Sequence, residues 1–241
     1  MDAIDRDLSR GRRGGGAASI SPACLAQLWP LEERQLEALL ASAHWRAYAA
    51  GGLICQAGLM DLSVLIVVRG IVEIELETND ARRLLIGFMR SGDVLAPNEM
   101  HGPLAQLLRT QALVDSVVFT VPSSVFCKFR ESHPDIVRIL EEQSNRRWSE
   151  LALRYLDCSL NRKLRSTAHF LALLSQVMQS DRISLSQSEL ARLLGMSRAQ
   201  CTRDIHRLQA LKLLRVEPGR QGITILDLEG LAGVDDLTVD L

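Results

Sequence analysis

Aromatic side chains are scarce in this sequence: three Trp, two Tyr and five Phe are scattered through 241 residues. A surface that stacks successive unpaired bases needs several such rings close together, so single-strand nucleic-acid binding is poorly supported. The five cysteines, Cys24, Cys55, Cys127, Cys158 and Cys201, lie far apart with no C-x-x-C pair. That spacing argues against a disulfide framework and for a reducing compartment. No cleavable hydrophobic leader is recognisable, and no apolar run reaches the ~20 residues that cross a bilayer. The expectation is a cytoplasmic chain with no membrane partner. A zinc-binding H-E-x-x-H, a nucleophile elbow, a phosphate-cradling loop and a paired-carboxylate signature are missing too, so neither catalysis nor a metal site is expected.

Charge of one sign is lacking only in the total, where 28 Lys and Arg meet 29 Asp and Glu. From Arg162 to Arg220 there are eleven basic residues and four acidic ones, a net of +7, whereas the tail from Gln221 holds five acids and no base. One segment is a polycation, and its partner is expected to be a polyanion.

The texture changes along the chain. Residues 1–21 mix charges with Gly14-Gly15-Gly16 and show no apolar period, which reads as a flexible arm. Leu36, Leu39 and Leu40 space out a short helix within Glu32–Ala43. Between Gly51 and Pro122 come strand-length runs rich in Val and Ile, Val64–Val68, Ile71–Leu76 and Leu84–Met89. Gly58, Gly70, Thr78-Asn79-Asp80 and Ser91-Gly92-Asp93 punctuate them. Turns at this spacing predict a barrel or double-sheet roll, with glycines at corners that need positive φ. From Asp135 the pattern is helical. Val137, Leu140, Ser144, Trp148, Leu151, Tyr155 and Cys158 step by three and four, the rhythm of a helix lying along another helix. Such a stripe covers either its own β domain or the same stripe of a second copy. Asp157–Asn161 supplies a hinge before a further helix, Leu164–Met178.

The polycationic segment holds the most informative pattern. Ser186 with Glu189 three residues later is a capping-box spacing, and Gly195 sits where the chain must turn sharply. Ser197 then caps a second helix. Cys201, Ile205 and Leu208 share its inner face, while Arg198, Ala199, Thr202, Arg203 and His206 lie on or near the other. Leu213–Glu217, the Pro218–Gly222 turn and Ile223–Leu226 follow as a hairpin. This is a winged helix-turn-helix, whose second helix fits the major groove of duplex DNA. Arg198, Gln200, Thr202 and Arg203 are the candidate base readers, because Arg donates bidentately to guanine and Thr offers a methyl to thymine. Ser184, Ser186, Ser197, Lys212 and Arg220 are candidate phosphate contacts.

A β roll, a long helix and a C-terminal winged helix, in that order, resemble the CRP/FNR superfamily of bacterial transcription regulators over about residues 30–230. The landmarks are Gly51-Gly52 with Gln56-Ala57-Gly58, Val68-Arg69-Gly70-Ile71-Val72, Ser91-Gly92-Asp93-Val94 and Leu194-Gly195-Met196-Ser197-Arg198. The resemblance implies an α+β chain with four parts: an arm at 1–21, a double-stranded, jelly-roll-like β-roll sensor at 22–133, a dimerisation helix at 134–160, and a winged helix-turn-helix at 161–241. It implies a homodimer on an inverted DNA repeat, with RNA polymerase as a partner. Val137, Leu140, Trp148, Leu151 and Tyr155 would then make the dimer. The alternative is a ligand-, haem- or redox-sensing protein whose winged helix meets a protein partner.

The sequence departs from family patterns at both ends. Cyclic-AMP-receptor-type members carry Arg-Glu where this chain has Arg198-Ala199, so the acid that accepts from cytosine is gone and an altered operator is expected. Their Gly-Glu ribose pair is replaced by Ala96-Pro97, while Glu99, Arg109 and Thr110 remain as a candidate effector pocket; cyclic nucleotide binding is disfavoured. The thiolates of an oxygen-labile iron-sulfur cluster are lacking near the start, where Cys24 stands alone. Haem stays open, with His101, Met100, Cys55 and Cys127 as candidate axial ligands. Cys201, beside Arg198 and Arg203, is a candidate redox switch if its thiolate is favoured.

Overall fold

The computed structural model describes residues 23–29, 31–56, 63–78, 80, 82–95, 106–217 and 222–234. The arm at 1–21, Gly58, Ala96-Pro97, Glu99, Met100, His101 and Arg220 lie outside them. The described chain falls into two compact units, one running to Arg82 and resuming at Ile86–Arg147, the other formed by Arg83–Leu85 and the residues from Trp148 onward.

The first unit is the expected roll. After α1 (Ala23–Ala26) and α2 (Glu33–Leu40) come β1 (His44–Tyr48), β2 (Leu53–Cys55), β3 (Ser63–Arg69), β4 (Ile71–Glu77), β5 (Arg83–Arg90), β6 (Val94–Leu95), β7 (Leu108–Ala112) and β8 (Ser116–Pro122). One sheet has the order β1-β8-β3-β6 and the other β2-β7-β4-β5. The alternation of β3 shows why two sheets form: Leu65 and Val67 pack with Val72, Ile74, Met89 and Leu108 between the sheets, whereas Val64, Ile66 and Val68 face an outer core. That outer core is closed by Trp29, Leu36 and Leu39 with Phe126 and Phe129 of α3 (Ser123–Ser132) and Ile136. The β3–β4 corner at Gly70 has φ +95°. A Cβ there would sit 2.7 Å from the Asp115 carbonyl oxygen, so only glycine fits.

The long helix α4 runs Pro134–Ser159. Its first half is clamped to the Ser91-Gly92-Asp93 turn. Gln143 Nε2 and Trp29 Nε1 both donate to the Gly92 carbonyl at 2.9 Å, the Val94 N–H donates to Gln143 Oε1 at 2.9 Å, and Arg146 pairs with Asp93 at 2.5 Å. Gln143 and Arg147 are thus polar residues buried on this helix, while Val137, Trp148 and Tyr155 stand exposed. Leu140 departs from the expected stripe: it is partly buried against the outer core of its own roll, one turn beyond Ile136.

The second unit continues from α4 through α5 (Lys163–Met178), β9 (Arg182–Ile183), α6 (Gln187–Leu194), α7 (Arg198–Ala210), β10 (Leu214–Val216), β11 (Ile223–Ile225) and α8 (Leu228–Ala232). Leu164, Ala168, Leu171 and Leu174, spaced at three and four, bury one face of α5, which packs with α6, α7 and α8, and Leu190, Leu193, Ile205, Leu208, Ile223 and Leu231 are buried in the same unit. The strands form a sheet of order β10-β11-β9.

Candidate nucleic-acid interface

The helix-turn-helix is built by local signals that reinforce one another. Ser186 Oγ accepts from the Glu189 N–H at 3.2 Å while Glu189 Oε2 accepts from the Ser186 N–H at 2.8 Å, which satisfies two orphan donors at the start of α6. The helix is closed by Gly195 at φ +67°, where the Met196 N–H reaches the Ala191 carbonyl and the Gly195 N–H the Arg192 carbonyl. Two residues later Ser197 Oγ accepts from the Gln200 N–H at 3.2 Å and starts α7. The far end of α7 is closed the same way, but by Lys212 at φ +61°, with the Leu213 N–H on the Leu208 carbonyl. A lysine in this left-handed conformation costs about 1–2 kcal/mol that a glycine would not.

α7 is two-faced. Cys201, Asp204, Ile205 and Leu208 are buried at 0–1% exposure, while Arg198, Ala199, Arg203 and His206 are exposed. Thr202 is half-buried, and its hydroxyl donates to Gln187 Oε1 of α6 at 2.7 Å. Gln200, expected to read a base, sits on the flank with both ends of its amide engaged. Its Nε2 donates to Asp204 Oδ1 at 2.8 Å and its Oε1 accepts from Arg203 Nη2 at 2.6 Å. Gln200, Asp204 and Arg203 are thus linked along one flank of α7. Spacing on the helix could not reveal this, although an aspartate falling between Cys201 and Ile205 on the inner face was the visible clue.

The thiolate that a Cys201 switch requires is disfavoured. Burial and the neighbouring Asp204 carboxylate push the thiol up to about 11, so it stays protonated near neutrality. Beneath the turn, a cleft of about 400 Å³ is lined by Asn161, Arg162, Lys163 and Ser166 on one side and Gly195, Ser197 and Arg203 on the other. Asn161, at φ +55°, ends α4 here, the hinge position expected from Asp157–Asn161. The buried Asp157 ties α4 to α5 through Arg165 and His169 Nδ1, each at 3.0 Å.

In the roll, Arg109 and Thr110, the described members of the candidate effector pocket, face apart. Adjacent on β7, they point to opposite faces: Thr110 pairs with Ile74 of the inner core and Arg109 with Glu75. Arg109 is buried and already neutralised, with Nη1 2.5 Å from Glu75 and Nε 3.4 Å from Glu77. Thr110 Oγ1 is buried without a hydrogen-bond partner among the described residues. Of the haem candidates within the described residues, Cys55 packs at the edge of the inner core and Cys127 lies on α3, the helix of the outer one.

Two capped helices joined through a left-handed glycine, followed by a β hairpin that β9 extends to three strands and carrying exposed arginines on the second helix, define a winged helix-turn-helix DNA-binding domain. Residues 167–234 match the family model of the Crp-like helix-turn-helix domain. The chain is 27% identical over 198 residues to the cAMP-activated global transcriptional regulator Vfr of Pseudomonas aeruginosa, covering 76% of this chain and 91% of that one. Its fold is similar to that of the c-di-GMP responsive global regulator CLP of Xanthomonas campestris, with a TM-score of 0.67 at 20% identity over 80% of this chain and 99% of that one. It is similar also to FixK2 of Bradyrhizobium japonicum, with a TM-score of 0.64 at 20% identity over 80% and 97%. Residues 167–234 thus form a Crp-like helix-turn-helix DNA-binding domain, and the chain as a whole is similar to transcription regulators of the CRP/FNR type.

Proposed function

We propose that the chain works as a homodimer that lays the two copies of α7 in successive major grooves of an inverted DNA repeat. Arg198 and Arg203 read bases and Thr202 presents its methyl group to thymine. Ser186, Ser197 and Lys212 hold phosphates, a role extended to Arg220, which lies outside the described residues. The helix 134–160 pairs the copies through Val137, Trp148, Leu151 and Tyr155, the roll at 22–133 takes any controlling signal, and 161–241 binds DNA. On this reading the protein acts in the cytoplasm on promoter DNA, contacts RNA polymerase and performs no catalysis of its own.

The observation that carries the proposal is the two-sidedness of α7, with Arg198 and Arg203 exposed above a fully buried inner face. Its test is a binding titration on DNA selected from random sequence, run over a range of salt. Specific affinity should fall steeply with salt, by a slope near −0.9 for each phosphate neutralised. Arg198→Ala with Arg203→Ala should lose specific binding and remain dimeric. A flat salt dependence would instead indicate a protein partner for the winged helix.

A further inference from the structure

Resting on that DNA-reading role, we propose that Asp204 is a specificity-determining positioning residue, which aims Arg203 at its base through the amide of Gln200. Asp204 is 1% exposed beneath α7 and cannot touch DNA itself. Its two carboxylate oxygens are used in different directions. Oδ2 accepts from Thr167 Oγ1 of α5 at 3.2 Å, which moors it to that helix, and Oδ1 accepts from Gln200 Nε2 at 2.8 Å.

A carboxylate can only accept, so it fixes which way the Gln200 amide is turned: nitrogen toward Asp204, oxygen away. That oxygen takes the hydrogen bond from Arg203 Nη2 at 2.6 Å. The guanidinium, on a long and exposed side chain, is thereby held before DNA arrives. Preorganisation of this kind favours discrimination over raw affinity. A released arginine still finds a phosphate and still counts in the electrostatics, but it no longer distinguishes guanine by paired donors in one plane.

The experiment uses the full-length dimer and measures relative affinity for every single-base change in a selected half-site, alongside salt slope and thermal stability. Asp204→Leu keeps the inner face filled and removes the acceptor. Gln200→Met, on the half-buried flank, removes the link at both ends with little risk to folding. In both, discrimination at the one base pair read by Arg203 should fall by about tenfold, while preferences elsewhere and the salt slope stay unchanged. The double variant should be no worse than either single one. Asp204→Asn, which can accept from Gln200 and donate to Thr167, should restore discrimination. A role in stability alone predicts altered melting with an intact base profile, or a uniform loss across the half-site. Either result in Gln200→Met overturns the bracing while leaving the DNA role standing. Absence of salt-dependent duplex binding by the wild-type chain overturns the DNA role, and the bracing with it.

Discussion

The exposed face of α4 gives the sharpest quantitative expectation. Trp148 is 70% and Tyr155 73% exposed, and aromatic side chains of this kind bury 150–250 Å² when fully covered. Each therefore offers roughly 150 Å² to a partner, worth nearly ~4 kcal/mol at about 25 cal/mol per Å². In a symmetric pair the two side chains from each copy total about 15 kcal/mol, and ordering and rigid-body costs consume most of such sums. If only a fifth survives, about 3 kcal/mol, removing both rings raises the dimer Kd more than 100-fold. Trp148→Ala with Tyr155→Ala should accordingly sediment as a monomer at concentrations where the wild type is a dimer. Its monomer melting should be nearly unchanged, because neither ring contributes to the chain's own core. A wild-type chain that sediments as a monomer at micromolar concentration, or a double variant with an unaltered Kd, would refute the reasoning.

Three further outcomes follow from particular residues. Lys212→Gly should stabilise the chain by about 1 kcal/mol in urea titration by relieving the left-handed lysine, and should also lower the salt slope of DNA binding by about 1 if the ammonium holds a phosphate. Gly70→Ala should lower Tm by at least roughly 4–8 °C, from a left-handed Cβ and a close approach to Asp115 that together cost ~2 kcal/mol or more. Cys201 ionises at about 11 when folded and at about 8.5–9 when unfolded, so it is neutral in both states below that range and the unfolded state releases its proton first above it. Its contribution is therefore intact at neutral pH and lost as pH rises from about 9 to 11, by no more than ~1.4 kcal/mol per pH unit. Cys201→Ser should flatten that alkaline limb of the urea midpoint, whereas an alkaline limb identical to the wild type would sink the assignment.

What could be read from the sequence was whatever a short window carries. The capping box at Ser186 and Glu189, the cap at Ser197 and the turn at Gly195 each act within four residues, and their spacing located α6 and α7 closely. The strands around Gly70 were equally legible, because alternation and a corner glycine are local. Three things were not. β9, two residues long, is too short for any period and exists only because β11 pairs with it. The opposite faces of Arg109 and Thr110 depend on the register of β7 against β4, which is a tertiary fact. The hydrogen bonding of Gln200 depends on Asp204, and the partner of that buried aspartate, Thr167, lies on another helix. In each case the missing information lay in a partner distant in sequence.

The neutralised Arg109 bears on what controls this regulator. An anionic ligand that used this guanidinium would have to displace Glu75 from a pair whose side chains are 8% and 1% exposed. Breaking such a buried pair costs about 3–5 kcal/mol, which lowers affinity for the anion by roughly two to four orders of magnitude. Cyclic AMP at 1 mM should therefore give no resolvable rise in Tm. A ligand present at 100 times its Kd adds about 2.7 kcal/mol, or roughly 5–10 °C for a domain of this size, so binding of that strength could not be missed. A saturable rise of that magnitude, abolished by Arg109→Met, would show that Glu75 and Glu77 yield the guanidinium to a phosphate after all. If the rise persisted in Arg109→Met, the nucleotide would be held elsewhere in the roll, and the argument from the occupied guanidinium would lose its bearing on control.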